Sequence, residues 1–155
     1  MLRRLLSCAF VFLVPYGLNL RNQVLADGWD SFRFKSAAQW IAENSKPGDI
    51  VFNARWEYFP ELFFWNAENV YVSGMDPIFQ YTYDPDLYRE GYDLLSDQKR
   101  QESLGDAYTT IKEKFKARFV VLAKPFDGIL YFRLVRDSRF LLKLENDSSA
   151  VFEVD

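Results

Sequence analysis

The sequence predicts an α/β fold: three layers, a mainly parallel sheet of about three strands with flanking helices, and a C-terminal β-hairpin. Three observations carry that expectation. Short apolar runs rich in β-branched and aromatic residues recur at Ile50–Asn53, Val70–Val72 and Arg118–Ala123, each bounded by turn residues in the manner of buried strands. Segments of helical periodicity separate them. Two alternating runs, Phe140–Leu144 and Ala150–Val154, flank Glu145-Asn146-Asp147-Ser148-Ser149 at the end of the chain, which is the pattern of a hairpin.

The elements follow in order. Met1-Leu2-Arg3-Arg4 precedes an uncharged run from Leu5 to Leu20. Residues 1–22 therefore read as a hydrophobic membrane segment, with the membrane as its partner. As a helix, Leu5–Leu20 spans about 24 Å, short of a hydrocarbon core of about 30 Å. Three readings stand: a signal peptide with cleavage after Val24-Leu25-Ala26, a single anchor, or the remnant of the last transmembrane helix of a longer protein. Arg3 and Arg4 favour the cytoplasmic side in all three, which places the body outside the cytoplasm, periplasmic or at the cell surface. Residues 23–33 read as a linker, and residues 34–155 as a soluble α/β domain.

Ser36–Asn44 has helical periodicity, with Phe34, Ala37, Ala38, Ile41 and Ala42 on one face and Trp40 at its edge. Asn44-Ser45-Lys46-Pro47-Gly48-Asp49 turns the chain into the first strand. Trp56–Trp65 reads as a short helix interrupted or started at Pro60, since proline suits a first helical turn. Gly74 is expected to permit a positive-φ turn after the second strand. Asp84-Pro85-Asp86 reads as a helix start, with Asp84 as N-cap, Pro85 first and Asp86 near the positive dipole end. That helix is expected to reach about Ser96 and to bury Leu87, Tyr88, Leu94 and Leu95. Asp97–Gly105 is polar and expected to be exposed. Asp106–Lys116 reads as an amphipathic helix with Ala107, Ile111 and Phe115 inward and Tyr108 beside them, and Leu130–Asp137 as a helix or an edge strand.

Composition bounds the chemistry. The chain has 155 residues, 49% hydrophobic and 18% aromatic, and a net charge of −3. Three of its basic residues, Arg3, Arg4 and Arg21, precede Asp27, so the body is more acidic than the whole, which argues against nucleic acid as a partner. There is no histidine, so Ser-His-Asp and Cys-His nucleophiles and the usual zinc ligands are excluded. The single cysteine, Cys8, lies in the apolar leader. Gly74 belongs to no phosphate-binding glycine loop. No cofactor and no metal is expected.

Loops at the carboxyl ends of α/β strands are where ligands bind, so the polar and aromatic residues after the first two strands are the candidate site. Trp56, Glu57, Tyr58, Asp76, Tyr81 and Asp84 are the candidate substrate-binding residues, with Trp65, Phe79 and Tyr83 as further rings of the kind that contact sugar or lipid. Glu57, Glu61, Asp76, Asp84 and Asp86 could supply a carboxylate pair for glycosidase-type chemistry or oxygen ligands for a hard cation. Capping and turn chemistry is the reading that Asp76 and Asp84, each followed by a proline, fit better. Lys112, Lys114, Lys116 and Arg118 form a basic stripe that reads as a solvated helix end.

The segments also resemble, in order and wording, the extracytoplasmic C-terminal domain of bacterial polytopic glycosyltransferases of the GT-C class. These are dolichyl-phosphate-mannose-mannosyltransferase-like enzymes, relatives of the protein O-mannosyltransferases and the lipid A aminoarabinose transferase. The residues that carry the resemblance are Ala37-Ala38-Gln39-Trp40-Ile41 through Pro47-Gly48-Asp49-Ile50-Val51-Phe52, then Trp56-Glu57-Tyr58-Phe59-Pro60 with Leu62-Phe63-Phe64 and Asn66. Tyr71 with Gly74-Met75-Asp76-Pro77, Asp84-Pro85-Asp86-Leu87-Tyr88, Phe115–Val121 and Asp137–Phe140 continue it. The Trp-x-x-Phe-Pro and Gly-x-Asp-Pro pair is its most telling part. The resemblance implies a last transmembrane helix ahead of the domain, a polyprenyl-phosphate-linked sugar donor and a glycan acceptor as partners of the full-length protein. It also implies a catalytic aspartate in a loop between early transmembrane helices, which this chain does not contain. No catalytic residue carries over, and this chain alone is expected not to transfer sugar. The expectation is therefore a non-catalytic module that covers the active site or assists acceptor binding. The alternatives are a free-standing secreted or membrane-anchored binding protein, and a small hydrolase built on Glu57 and Asp76.

Overall fold

A computed structural model of the protein describes residues 14–22, 32–95 and 106–155. The chain divides into two compact units, Met1–Asp30 and Ser31–Asp155. In the first, residues 14–22 form helix α1. Residues 1–13 of the expected membrane segment, 23–31 of the expected linker and the expected loop Asp97–Gly105 lie outside the described residues. Among the described residues no helix is long and apolar enough to cross a membrane.

The second unit is a mixed α/β body. Its elements are α2 (Lys35–Asn44), β1 (Ile50–Asn53), a 3-10 turn (Trp56–Tyr58), α3 (Phe59–Trp65), β2 (Val70–Tyr71), α4 (Pro77–Tyr83), α5 (Pro85–Asp93), a π-helix (Thr109–Lys114), β3 (Phe119–Ala123), α6 (Gly128–Val135), β4 (Phe140–Glu145) and β5 (Ser149–Val154). The five strands form one sheet in the order β2-β1-β3-β5-β4. β1 pairs in parallel with β2 and β3, with Val51 opposite Tyr71 and Phe119. β5 is antiparallel to both β3 and β4.

This corrects the expected three strands plus a separate hairpin. The hairpin continues the sheet, because β5 bonds to β3 along its length, from Phe119 opposite Glu153 to Ala123 opposite Ser149. The correction also explains why neither hairpin strand shows alternating burial. β5 lies inside the sheet and is buried at Ala150, Val151, Phe152 and Val154, whereas β4 is the edge and exposes Leu141 and Leu142. A bulge between Leu142 and Leu144 interrupts that edge and sets Lys143 against Glu153 at 3.1 Å, a device that discourages pairing with further strands.

Helices cover both faces. Trp40 of α2 meets Phe119 edge-on and Phe59 of α3 meets Tyr71, on the face that carries Val51. On the opposite face Phe115 packs against Phe52 and Tyr131 of α6 against Phe152. Phe34, Tyr58, Phe119 and Phe152 are fully buried between these layers, each stabilising by roughly 1.5–3 kcal/mol. α2 buries Phe34, Ala37, Ala38 and Ile41 as its periodicity requires, but Ala42 is exposed.

Local chemistry sets most boundaries. Gly48, not Gly74, takes the left-handed conformation, at φ 86°, where the Pro47-Gly48 turn needs a residue without Cβ. Pro60 sits in the first turn of α3. Asp84 caps α5, accepting from the Leu87 N–H at 2.9 Å, with Pro85 first in the helix. That helix ends at Asp93, burying Gly91 and then Leu94, with Leu87, Tyr88 and Leu95 half-buried. The helix expected at Asp106–Lys116 is wound wider. The Phe115 N–H donates to the Thr110 carbonyl, five residues back, and Lys116 follows with a positive φ of 57°. Leu130–Asp137 falls largely within a helix, α6, rather than a strand.

Arg118 fastens the start of the parallel sheet to its antiparallel half, pairing with Asp49 at 2.7 Å and Glu153 at 3.0 Å. The Lys46 N–H bond holds the Asp49 carboxyl below its ordinary 3.8, against burial and with help from Arg118. Burial pushes Glu153 up, and Lys143 and Arg118 more than offset it, leaving it below 4.5. Both folded pKa values are lowered, so this stabilisation is complete above the unfolded values and is lost as pH falls through the folded ones. The melting temperature of the body should be steady above pH 4.5 and fall by a few degrees below 3.8, the ordinary values of these two carboxyls. The pairs are partly exposed, so each contributes up to about 1 kcal/mol. Melts of Arg118→Met across the same range should show a shallower acid slope; an unchanged slope would remove the pairs from the explanation.

Candidate functional site

The connection from β1 to β2 runs through α3 on one face of the sheet. The connection from β2 to β3 runs through α4, α5 and the π-helix on the other and passes over β1. The chain thus leaves β1 to one side and returns to the other, which makes the carboxyl ends of β1 and its neighbours the topological switch point where α/β sheets bind ligands. A cleft of about 140 Å³ lies there.

Phe52, Gly91, Leu95 and Phe115 form its apolar floor. Gly91 lets the Phe115 ring come close: a Cβ there would stand 3.1 Å from it, so the ring would have to give by a few tenths of an ångström. Trp56, Tyr88 and Tyr92 supply aromatic walls, and Arg55, Glu57, Ser73 and Gln80 supply polar groups. The volume falls below the roughly 300–1,000 Å³ that encloses a drug-sized ligand, so the cleft suits a single ring or the end of a longer chain.

Two buried polar residues shape it. Asn53, the last residue of β1, is fully buried. Its Nδ2 donates to the Ser73 carbonyl at 2.7 Å and the Arg55 carbonyl at 3.1 Å, and its Oδ1 accepts from the Ser73 N–H at 2.9 Å. One side chain thus ties together the loops that leave β1 and β2. Asp127, at the start of α6, accepts from Arg55 Nε at 2.8 Å, the Tyr58 hydroxyl at 2.9 Å and the Ala123 N–H at 2.9 Å. Arg55 Nη2 also donates to the Phe126 carbonyl at 3.2 Å. Burial draws the Arg55 pKa down, but the bond to and charge of Asp127 more than offset this, so Arg55 stays a cation in a fixed orientation. Burial first, and then the negative charge of Asp127, push the Tyr58 phenol well up, so it remains a neutral donor.

The expected site residues divide. Trp56 and Glu57 line the cleft, and Trp56 remains 42% exposed. Tyr58 points the other way, into the core, against Phe34 at 4.7 Å between centroids. Asp76 caps α4 by accepting from the Ile78 N–H at 2.9 Å, and Asp84 caps α5. Tyr81 meets Tyr88 edge-on, with the Arg89 guanidinium 5.8 Å away. Glu61 accepts from the Phe34 N–H at 2.6 Å and lies 3.7 Å from Arg33. Asp86 pairs with Arg89. Trp65 stacks edge-on with Phe64, its indole Nε1 buried without a partner. Three members of the basic stripe are engaged internally, while Lys116 is exposed: Lys112 donates to the Val154 carbonyl, Lys114 pairs with Glu90, and Arg118 joins two carboxylates. Among the described residues no group of three His, Cys, Asp or Glu is placed to share a metal ion.

Arg55, Asn53, Ser73, Gln80, Tyr88, Tyr92 and Asp127 are residues that sequence reasoning did not name for the site, Tyr88 having been expected in the core. Asn53 carried a signal, a polar residue closing an apolar strand. Asp127 carried one too, Asp-Gly at a strand-to-helix turn. Nothing local marks Arg55 as the partner of a residue 72 positions away. Compared with family models, with curated proteins and with solved structures, the chain finds no match in any of the three.

Proposed function

We propose that the body is a non-catalytic, extracytoplasmic module of a membrane glycosyltransferase that draws on a polyprenyl-phosphate-linked sugar, and that its cleft holds one sugar ring of donor or acceptor. The observation that carries this reading is the make-up of the cleft at the switch point. Trp56, Tyr88 and Tyr92 line it beside Arg55, Glu57 and Gln80, the pairing of aromatic surface and hydrogen-bonding groups that suits a sugar. The resemblance in Trp56–Pro60 and Gly74–Pro77 adds to it. The non-catalytic part is supported by the carboxylates. Glu57 is the one acidic residue among those lining the cleft, Asp76 is engaged as a helix cap, and acid–base hydrolysis of a glycoside takes two carboxylates.

Titration of the protein with mannose, aminoarabinose and a short-chain polyprenyl-phosphate sugar should perturb tryptophan fluorescence. Trp56→Ala, titrated by calorimetry because it removes the reporter, should weaken binding roughly ten-fold or more while the fold is retained. Absence of any saccharide response in the intact protein would overturn the reading. Glycoside turnover by the chain alone, abolished in Glu57→Gln, would establish the hydrolase instead. Genomic sequence reading in frame upstream of Met1 through several apolar segments is the expected context.

A further inference from the structure

α4 is oriented the wrong way round for a helix in water. At about 3.6 residues per turn, Pro77 and Gln80 share the side that lines the cleft, and Tyr81 turns toward Tyr88 of α5. The opposite side presents Ile78, Phe79, Thr82 and Tyr83, all exposed, with Phe79 at 74% and Tyr83 at 90%. None of the seven residues is charged, and none is buried. A surface helix normally turns its polar side outward. Here the amide of Gln80 faces the cleft, while a phenyl, a phenol and a branched alkyl group face out. Met75, just ahead of the helix, is also 72% exposed.

We propose that this outward side of α4 seats on the headgroup–acyl boundary of a zwitterionic lipid bilayer, with the cleft opening beside it. Three features select lipid over protein. Phe and Tyr together, without charge, match the composition of side chains that settle at that boundary. Four side chains on two helical turns fall far short of the roughly 20 residues a side that a stable protein interface uses. A weak interfacial contact suffices when a second membrane signal lies in the same chain, and the uncharged run Leu5–Leu20 is such a signal. This step rests on the reading of residues 1–22 as a membrane segment. The surroundings select the lipid charge. Asp76 and Asp84 flank the patch and would be repelled by an anionic surface, while Asp86 and Arg89 offset each other as an ion pair, so neutral headgroups are preferred and salt has little effect. α4 forms both the lipid-facing patch and a wall of the cleft, so docking would hold the cleft at the depth of a lipid-linked sugar.

The test uses the full chain with Cys8→Ser, so that one introduced cysteine carries a nitroxide at Phe79→Cys, Tyr83→Cys or, as control, Glu113→Cys. All three positions are exposed, so labelling leaves the core intact. In phosphatidylcholine vesicles, labels at 79 and 83 should be about ten-fold less accessible to a water-soluble nickel chelate than the label at 113, with oxygen accessibility raised, as expected a few ångströms into the boundary. Equal nickel accessibility at 79, 83 and 113 in vesicle-bound protein would overturn the proposal. Protection from both nickel and oxygen would also overturn it, by showing a protein contact such as a second copy. Failure of the full chain to float with vesicles would overturn it together with the membrane reading of residues 1–22. The saccharide titration is independent: a tryptophan response with α4 in water would leave the sugar site standing and remove only the lipid contact.

Discussion

Asp127→Ala should cost about 3–5 kcal/mol of folding stability, the largest effect of any single polar substitution in the body. The carboxylate is completely buried, whereas the side chain of Arg55 is 37% exposed. The ion pair itself is therefore screened and contributes the smaller share. The larger share comes from the groups left behind. Without Asp127 the Tyr58 hydroxyl and the Ala123 N–H lose their acceptor inside the protein, and each unsatisfied buried donor costs about 1–3 kcal/mol. The loss should appear as a fall of roughly 10–20 °C in melting temperature for a domain of this size. Tyr58→Phe removes one donor and leaves the carboxylate its other two, so it should cost only about 1 kcal/mol. Urea unfolding of both variants separates the cases. A loss under 1 kcal/mol in Asp127→Ala would mean that water replaces the carboxylate and that the network does not lock β3 to the loop after β1.

That network marks where sequence reasoning stops. Strands β1 and β3 were legible because Ile50–Asn53 and Phe119–Ala123 concentrate β-branched and aromatic residues between turn residues, and burial on both faces demands such runs. The start of α5 was legible because Asp-Pro-Asp carries its own capping chemistry. These signals are local. The join of the hairpin to the parallel sheet is not, since nothing in Ala150–Val154 says that its second edge will meet β3. The one trace in the sequence is the unbroken apolar run Ala150-Val151-Phe152, which reads as part of an alternating strand until β5 is seen buried inside the sheet. α4 was missed for a physical reason: Pro77–Tyr83 has no apolar side facing a core, so the periodicity that reveals most helices is absent. The candidate site was half legible. Placing it after β1 and β2 followed from the βα order and located Trp56 and Glu57. Tyr58, adjacent in sequence, could not be told from a surface ring, because its role depends on Asp127, 69 residues away.

Asn53→Ala should cost about 2–4 kcal/mol and weaken saccharide binding with it. Asn53 satisfies the Ser73 N–H and two carbonyls at once, and Ser73 and Arg55 both belong to the cleft. Removing the amide frees the two loops that set the distance between the Trp56 and Gln80 sides. Asn53→Asp is the sharper test, because it preserves shape and changes only the polarity of one atom. The oxygen that still accepts from the Ser73 N–H keeps its partner. The other replaces Nδ2 and, when ionised, sits against the Ser73 and Arg55 carbonyl oxygens in a buried site. Repulsion and desolvation both disfavour the charged form, so the folded pKa of the new carboxyl must rise above its ordinary value of about 3.9. A carboxyl with a raised folded pKa binds more protons folded than unfolded, so its protein gains stability as pH falls through that value. Measured against the unsubstituted chain, Asn53→Asp should be most destabilised at neutral pH and recover toward it in mild acid, as the protonated carboxyl donates where Nδ2 did. The deficit of Asn53→Ala should stay flat over the same range. A pH-independent deficit for Asn53→Asp would mean that its new oxygen reaches water, and that the two loops are not held by one buried amide.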